Sequence, residues 1–537
     1  MSLFTDASLV MIPSGIKDQK IYSVTPTDGS GDLTFTRSND TATRVGSDGL
    51  IEKVRTNLQT YSQDFSNAVW VKSAGATLTH SQTDPNGGTT ASRLQMPSGT
   101  SNYFAASAIS GLTNGGQYTH SVYMKSNTGS TQSVRILDGV RGAAGGTLLA
   151  SVTTSWQRFE VVITTASTSA GLQIDNVAGT YNNDILIAFA QSEVSDFGAT
   201  DYIATTSAAV SVGPVANLPR LDYSGGATCP RLLLEPQRTN LYNYSEQLDQ
   251  WLTSSATVTA NYAVSPDGYT NADRVQFAAG GLVYVSGTGS AGENTLSVYA
   301  KATNGVSAKF SFFANGAVTY SSDQTATGEW QRFTFTYTYS AVTAGLSVAT
   351  TGADDVIFYG FQHEEGAYAT SYIPAIAATT RGADSASKTG ISSLIGQTEG
   401  VLFFDFVATA QNADGVGFSL ITAFGDANEN FQLYALGTTL YWYAWKTTVR
   451  IDETANQTLV AGDRYKIAYA YKSGDWALYI NGVQKRTSAE TNVPAVSQFN
   501  LSATGLGVSP VTAKNEFNQI LVFPTRLSNA DLAALTA

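Results

Sequence analysis

A block of four residues, Arg55-Thr56-Asn57-Leu58, is followed closely by Tyr61-Ser62 and Trp70, and the whole set returns as Arg238-Thr239-Asn240-Leu241, Tyr244-Ser245 and Trp251. Three further blocks repeat in the same order. Ser121-Val122-Tyr123-Met124-Lys125 is echoed by Ser297-Val298-Tyr299-Ala300-Lys301, Trp156-Gln157-Arg158-Phe159 by Trp330-Gln331-Arg332-Phe333, and Ala199-Thr200-Asp201-Tyr202-Ile203 by Ala369-Thr370-Ser371-Tyr372-Ile373. The separation between equivalents shrinks steadily along the chain. That pattern is one domain present twice, with small deletions in the loops of the second copy.

Each copy reads as strands. Tyr118–Met124, Trp156–Ile163 and Asp184–Ala190 of the first are rich in β-branched and aromatic residues and are separated by Gly, Asn and Ser clusters. No helix-period pattern of useful length interrupts them, so two packed antiparallel sheets, a jelly roll, are the expected solution. Charged residues make up only 13% of the chain, against about 25% in ordinary soluble proteins, which suits a turn-rich all-β protein. At 537 residues the chain exceeds a single core.

The expected domains are a β segment at 1–54, jelly-roll repeats at 55–206 and 238–376, a β linker at 207–237, a linker at 377–398, and a third sandwich at 399–537. The first segment carries short strands, among them Asp32–Arg37 with period-two alternation, and is too small to hold a core of its own. It should pair with the domain that follows or with another chain. Strand-turn-strand units precede both repeats, at Leu33–Glu52 and at Leu218–Glu235. In the last domain, Trp476-Ala477-Leu478-Tyr479-Ile480 ends on Asn481-Gly482, a strong hairpin signal. A short helix at Asn529–Leu535, capped by Ser528, closes the chain.

These motifs resemble the carbohydrate-binding-module-like jelly rolls of bacteriophage tail and head fibre proteins. The Pro219-Arg220-Leu221-Asp222-Tyr223 to Leu234-Glu235-Pro236-Gln237-Arg238 stretch is similar to a connector found in such virion proteins. The last domain resembles concanavalin-like, laminin-G-type lectin domains through Trp476–Gly482 and Leu527-Ser528-Asn529-Ala530-Asp531-Leu532. One departure is at Gln362-His363-Glu364-Glu365-Gly366, where the family pattern has an apolar residue in place of His363 and the first copy has Ser192. The resemblance implies a non-enzymatic virion fibre or spike subunit, assembled in a host cytoplasm and homotrimeric. Its 1–54 segment would attach to other virion proteins, and the distal domain would bind host-surface or environmental glycans.

The residues bear on that expectation in several ways. A net charge of −12 without any basic cluster argues against a nucleic-acid partner. No window approaches 18 continuous apolar residues, so membrane insertion is not expected, and the first residues lack the pattern of a signal peptide. Cys229, the single cysteine, rules out intrachain disulfides and reads as a small residue packed in a turn. Only His80, His120 and His363 are available as bases, none in a nucleophile or metal motif, and no Asp-x-Asp-x-Asp-Gly calcium loop occurs. No cofactor and no metal are expected.

Sugars are held by aromatic faces and a few polar groups. In Leu440–Trp445, Tyr441, Tyr443 and Trp445 point to one face of a strand and Trp442 to the other, so one set is core and the other is a platform. Tyr441, Trp442, Tyr443 and Trp445 are therefore the candidate carbohydrate-binding residues. Trp70, Trp156, Trp251 and Trp330 recur in both copies and read as packing residues. Two alternatives stay open: a purely structural head or tail decoration protein, and a capsule depolymerase using carboxylates such as Glu193, Glu364, Asp184 or Asp355. Residues that recur in both copies more often hold a scaffold than catalyse.

Overall fold

The computed structural model describes residues 3–140, 142–165, 168–285, 291–314, 319–339, 346–350, 352–408, 418–426, 428–501 and 513–537. Among the described residues the protein is all-β, with antiparallel sheets and one short α-helix, Asn529–Thr536. Residues 54–213 form one compact unit, and residues 1–53 with 214–537 form the other. The first jelly roll is thus an insertion between Lys53 and Pro214 of a unit that holds everything else.

In the first unit two five-stranded sheets face each other. One is ordered Gln157–Thr164, Gln117–Ser126, Asn183–Val194, Ala91–Met96, Thr77–Gln82; the other Gly142–Val152, Gln132–Asp138, Leu172–Asp175, Tyr103–Ala106, Trp70–Lys72. Alternate residues such as Leu94, Val122, Met124, Ile136, Ile174, Ile185 and Ile187 fill the space between them, as period-two strands require. Arg55–Asn57 pairs with Val210–Val212, so the chain enters and leaves side by side.

The repeated residues do identical work in both copies. Asn57 Nδ2 donates to the carbonyls of Ala190 (3.1 Å) and Ile203 (2.7 Å), while its Oδ1 accepts from the amides of Gln59 and Ser192. Asn240 Nδ2 donates to Phe361 (3.0 Å) and Ile373 (2.8 Å), and its Oδ1 accepts from Tyr242 and His363. The hydroxyls of Ser62 and Tyr202 meet at 2.6 Å, those of Ser245 and Tyr372 at 2.7 Å. Trp70 and Trp251 each donate an indole N–H back to Tyr61 and Tyr244. Arg93–Asp184 is matched by Arg274–Asp355. A bulge in the central strand places Phe189 at φ 54° and its equivalent Gly360 at φ 66°; glycine adopts that left-handed geometry without a Cβ penalty.

One difference between the copies is legible in sequence. The first breaks at Pro97-Ser98-Gly99 between Ala91–Met96 and Tyr103–Ala106. The second has Gly280-Gly281 instead, and Thr270–Val285 runs unbroken through both layers, pairing with Asp355–Glu365 and then with Leu346–Ala349. The two sheets join into one near-barrel.

The third sandwich is built from chain far apart in sequence. Glu399–Ala408 lies between Arg464–Lys472 and Asn515–Phe523. The free edge of Asn515–Phe523 takes two short strands in line: Arg231–Leu234 beside its first half and Leu9–Met11 beside its second. Leu33–Thr36 extends the opposite sheet through Ser385–Thr389, which pairs with Gln498–Leu501. The first part of the 1–54 segment, expected to pair with the next domain or another chain, pairs with the last one, where its apolar residues Leu9, Met11, Ile21, Leu33 and Phe35 complete that core, while Ile51 and Lys53 pack on the second sandwich. The stretch 207–237, expected as a β linker, supplies Val210–Val212, Arg220–Asp222 and Arg231–Leu234, while 377–398, expected as a plain linker, also supplies strands, Thr379–Arg381 and Ser385–Thr389. Asn481 and Gly482 adopt positive φ in their hairpin, and Ser528 accepts from the Asp531 amide to cap the helix. Cys229, expected to be packed, is exposed.

These pieces meet at a cluster of charges with no solvent exposure. Glu235 Oε2 takes Arg220 at 2.7 Å and Arg381 at 2.9 Å; Asp384 takes Arg37 at 3.1 Å and also Arg220. Burial alone would push the Glu235 carboxyl upward, and Arg381, Arg220 and Lys514 overcome it, holding Glu235 well below the usual carboxylate range. Arg37, by burial, falls to about 10, against the opposing pull of Asp384. The cluster ties residues of the N-terminal segment, both connectors and the second sandwich into one body.

Candidate functional site

Glu429–Leu436, the turn at Gly437-Thr438, and Thr439–Lys446 form a tight hairpin in which Leu436 pairs with Thr439. That register sets Tyr434 opposite Tyr441, Gln432 opposite Tyr443 and Asn430 opposite Trp445. The next strand, Thr448–Thr458, sets Thr454 beside Tyr441 and Asp452 beside Tyr443. Alternation sends Leu440, Trp442 and Ala444 into the core, and Tyr441, Tyr443 and Trp445 to the outer face, where all three are half-buried. From Tyr441 to Trp445 is four residues of extended chain, about 14 Å at ~3.4 Å each, longer than one sugar ring.

Tyr434 and Tyr441 stack at 5.1 Å with their planes 9° apart, and Tyr443 meets Tyr434 edge-on at 6.1 Å. The Tyr434 hydroxyl donates to Asp452 Oδ1 at 3.1 Å. Burial, with Asp452 beside it, pushes Tyr434 up to about 12, and Tyr443 shifts up for the same reasons. Both phenols therefore stay protonated at neutral pH, with the Tyr434 proton directed to Asp452. The face combines apolar ring surface, neutral hydroxyls, the Gln432 amide and an exposed carboxylate at Asp452. That is the chemistry of a surface for uncharged polyhydroxylated ligands.

Trp442 does not belong to it. The ring has no solvent exposure and packs edge-on against Tyr469 at 5.8 Å between the two sheets. Tyr434, Gln432 and Asp452 escaped the sequence reading. Tyr434 was recoverable, since a two-residue turn at Gly437-Thr438 fixes its place opposite Tyr441; Asp452 needed the bulged register of the following strand. Of the repeated tryptophans, Trp70 and Trp251 are core, but Trp156 and Trp330 are half-exposed beside small aromatic clusters on the outer faces of their sandwiches.

The carboxylates considered for hydrolysis are engaged in the fold. Glu193 accepts from the Thr200 amide at 2.9 Å and from Gln191 at 2.7 Å; Glu364 accepts from the Thr370 amide at 2.9 Å. Hydrogen bonds from Arg93 and Arg274 hold Asp184 and Asp355 below the usual carboxylate range. His120 Nδ1 lies 2.7 Å from Ser192 Oγ, but both side chains are inside the first sandwich, and burial drives the imidazole down to about 4. His363 is likewise buried, beside Asn294, and falls to about 4. His80 Nδ1 lies 3.0 Å from Ser92 Oγ. Among the described residues no group of three or more His, Cys, Asp and Glu side chains converges as a metal site would require, and no helix is long and apolar enough to cross a membrane.

No protein-family model matches the chain, and no curated protein matches it in sequence. Partial structural likenesses occur to carbohydrate-binding domains. Domain 4 of AbnA, a GH43 extracellular arabinanase from Geobacillus stearothermophilus solved with arabinotriose, matches with TM-score 0.25 at 13% identity, over 32% of this chain and 82% of that one. The CBM40 of the Ruminococcus gnavus IT-sialidase, bound to α2,6 sialyllactose, matches with TM-score 0.24 at 16% identity, over 28% of this chain and 92% of that one. A botulinum neurotoxin type C structure, whose cell entry depends on two ganglioside molecules, matches with TM-score 0.24 at 11% identity, over 29% of this chain and 39% of that one. Each likeness takes in less than a third of this chain.

Proposed function

We propose that the protein is a non-enzymatic glycan-binding protein whose binding surface is the outer face of the hairpin at 429–446 with its neighbour strand at 448–458. The observation that carries this reading is the grouping of Tyr434, Tyr441, Tyr443 and Trp445 outside the core, beside Gln432 and Asp452. A face that served packing alone would be buried against something. A face that served only solubility would not gather four aromatic rings.

Following the resemblance of the repeat motifs, the wider role is that of a bacteriophage fibre or spike subunit: a homotrimer in the virion that adheres to host-surface or environmental glycans. Three weakly binding faces in one assembly gain avidity without any new contact. The test is a glycan-array and host-cell binding assay on the full chain, with sedimentation to give the assembly mass. Tyr441→Ala and Trp445→Ala should each lower binding about tenfold or more, while Tyr262→Ala, at an exposed ring of the second sandwich, should not. A folded chain that binds no glycan, or binds unchanged in both variants, overturns the proposal and leaves a structural decoration protein. Release of soluble sugar fragments would instead establish a depolymerase.

A further inference from the structure

Lys53, the last residue before the inserted sandwich, carries its ammonium into the side of the second one. Its side chain is 5% exposed, and its Nζ lies 2.7 Å from Asp267 Oδ2 and 2.8 Å from both Glu246 oxygens and from the Tyr359 hydroxyl. The Asp267 side chain is 1% exposed and that of Glu246 20%. Ile51, Ala272, Ile357, Tyr359 and Tyr372 form an apolar cluster around them. The amine and one carboxylate are thus kept from water, while the other carboxylate reaches it.

Local structure places each group. The Ile51 amide donates to Pro266 O at 2.8 Å, which sets Lys53 beside the turn Ser265-Pro266-Asp267-Gly268. Within that turn Asp267 Oδ1 accepts from the Ser265 hydroxyl at 2.6 Å and from the Tyr269 amide at 3.2 Å, so the carboxyl presents Oδ2 to the lysine. The Tyr359 hydroxyl stands 3.0 Å from that Oδ2 and 3.0 Å from Glu246 Oε1. A sandwich of this kind does not need the set. In the first copy Gln63 follows Tyr61-Ser62 where Glu246 follows Tyr244-Ser245, Asn86 follows Pro85 where Asp267 follows Pro266, and Ala188 pairs with Tyr123 as Tyr359 pairs with Tyr299.

We propose that Lys53 and Asp267 join in an intramolecular isopeptide bond, with Glu246 as the base and Tyr359 as the proton relay. Asp267 Cγ is at most one C–O bond beyond Oδ2, within about 4 Å of Nζ, close to the range of reactive contact. Glu246 takes one proton from the ammonium, and the Tyr359 hydroxyl passes its own proton to Oδ2 and regains one from Glu246. The neutral amine then attacks Cγ, and the charge that builds on Oδ1 meets the Ser265 hydroxyl and the Tyr269 amide. A second proton follows the same path from Nζ, the Cγ–Oδ2 bond breaks, and Oδ2 leaves as water. An ammonium and a carboxylate become one amide and one water, with no change of oxidation state. In bulk water the ions are favoured; in this enclosure the amide removes two charges that burial penalises. The bond closes a covalent loop containing residues 54–213.

The experiment is mass spectrometry of the purified full chain, intact and after trypsin. The intact chain should be lighter than its sequence by one water. Trypsin should fail at Lys53 and yield a branched peptide that joins Lys53 to Asp267. The branch is the decisive product, because Asp267-Gly268 loses the same water if it closes to a succinimide. Glu246→Gln keeps the volume and should slow the bond at least about a hundredfold, leaving freshly purified chain at full mass. Hydrogen exchange at 270–285 and 355–365 checks that this variant has folded. A folded wild-type chain at full mass, which is a buried ion pair only, a lost water without the branch, or an undiminished branch in Glu246→Gln would overturn the proposal.

Discussion

Asp384→Asn tests what holds the N-terminal segment, the connectors and the last two sandwiches together. Asp384 accepts from Arg37 Nη1 at 3.1 Å, from Arg220 Nη2, and from the Glu235 amide at 2.9 Å, and none of these side chains has any solvent exposure. Asparagine keeps the volume but removes the charge and turns an N–H₂ toward groups that are themselves donors. Arg220 and Arg381 would then share Glu235 as their ion-pair acceptor, and Arg37 would be left with the carbonyls of Pro214, Val215 and Leu218. Breaking a buried ion pair from one side leaves an uncompensated charge, at a cost of about 3–5 kcal/mol. The control is Asp323→Asn, which removes the exposed partner of Lys309 at 3.9 Å and should cost less than about 1 kcal/mol. Urea unfolding read by peptide-resolved hydrogen exchange separates the units. In Asp384→Asn, amides of 220–222, 231–234 and 515–523 should open at lower urea, while those of 91–96 and 117–126, whose core contains none of the cluster, stay unchanged. A loss below about 1 kcal/mol at those strands would refute the argument that the cluster joins them.

Three further outcomes follow from particular contacts. Asn57→Ala and Asn240→Ala each strand two carbonyls and two amides in a dry interior, so each should cost about 3–5 kcal/mol and destabilise only its own sandwich by hydrogen exchange. His120 and His363 are held neutral, near 4 instead of 6.5; between those values the unfolded chain binds protons that the folded chain does not, so stability falls as pH falls. From pH 6.5 to 5 that loss is about 2 kcal/mol for each histidine, above the range where carboxylates titrate. His120→Leu, which installs the residue of the equivalent position Leu296, should flatten the profile of the first sandwich alone; an unchanged slope would show that His120 is not its source.

How much the sequence disclosed depended on the distance over which its signals act. Period-two alternation, Asn481-Gly482 and Ser528 are local, and the elements they announce are present. The long-range pairings carry no local signal. Leu9–Met11 lies beside residues more than five hundred positions on, and nothing in its own residues distinguishes that edge from any other. Alternation puts Arg37 on the same face as Leu33 and Phe35, and nothing near it in sequence shows what meets a charge there; Asp384, 347 residues away, does. At Leu440–Trp445 alternation separated the two faces correctly and was silent on which was core; Leu433, Tyr469 and Trp476 decide that, by covering Trp442. In each case the missing information belonged to the partner element and not to the segment being read.

Comparing the two copies turns the repeat into an instrument for separating scaffold from function. Asn57 and Asn240, Glu193 and Glu364, Arg93 and Arg274, and Asp184 and Asp355 are the same residues with the same partners, so their identity is explained by the fold. What differs on a shared framework needs another explanation. Gln63 against Glu246 and Asn86 against Asp267 are close in size and differ in charge, which changes what a matched surface can hold while leaving the sandwich intact. The third sandwich has no second copy to read it by. There chemistry alone marks the face: outward tyrosines that the core does not require, stacked on one another, and a carboxylate placed to orient one of their hydroxyls.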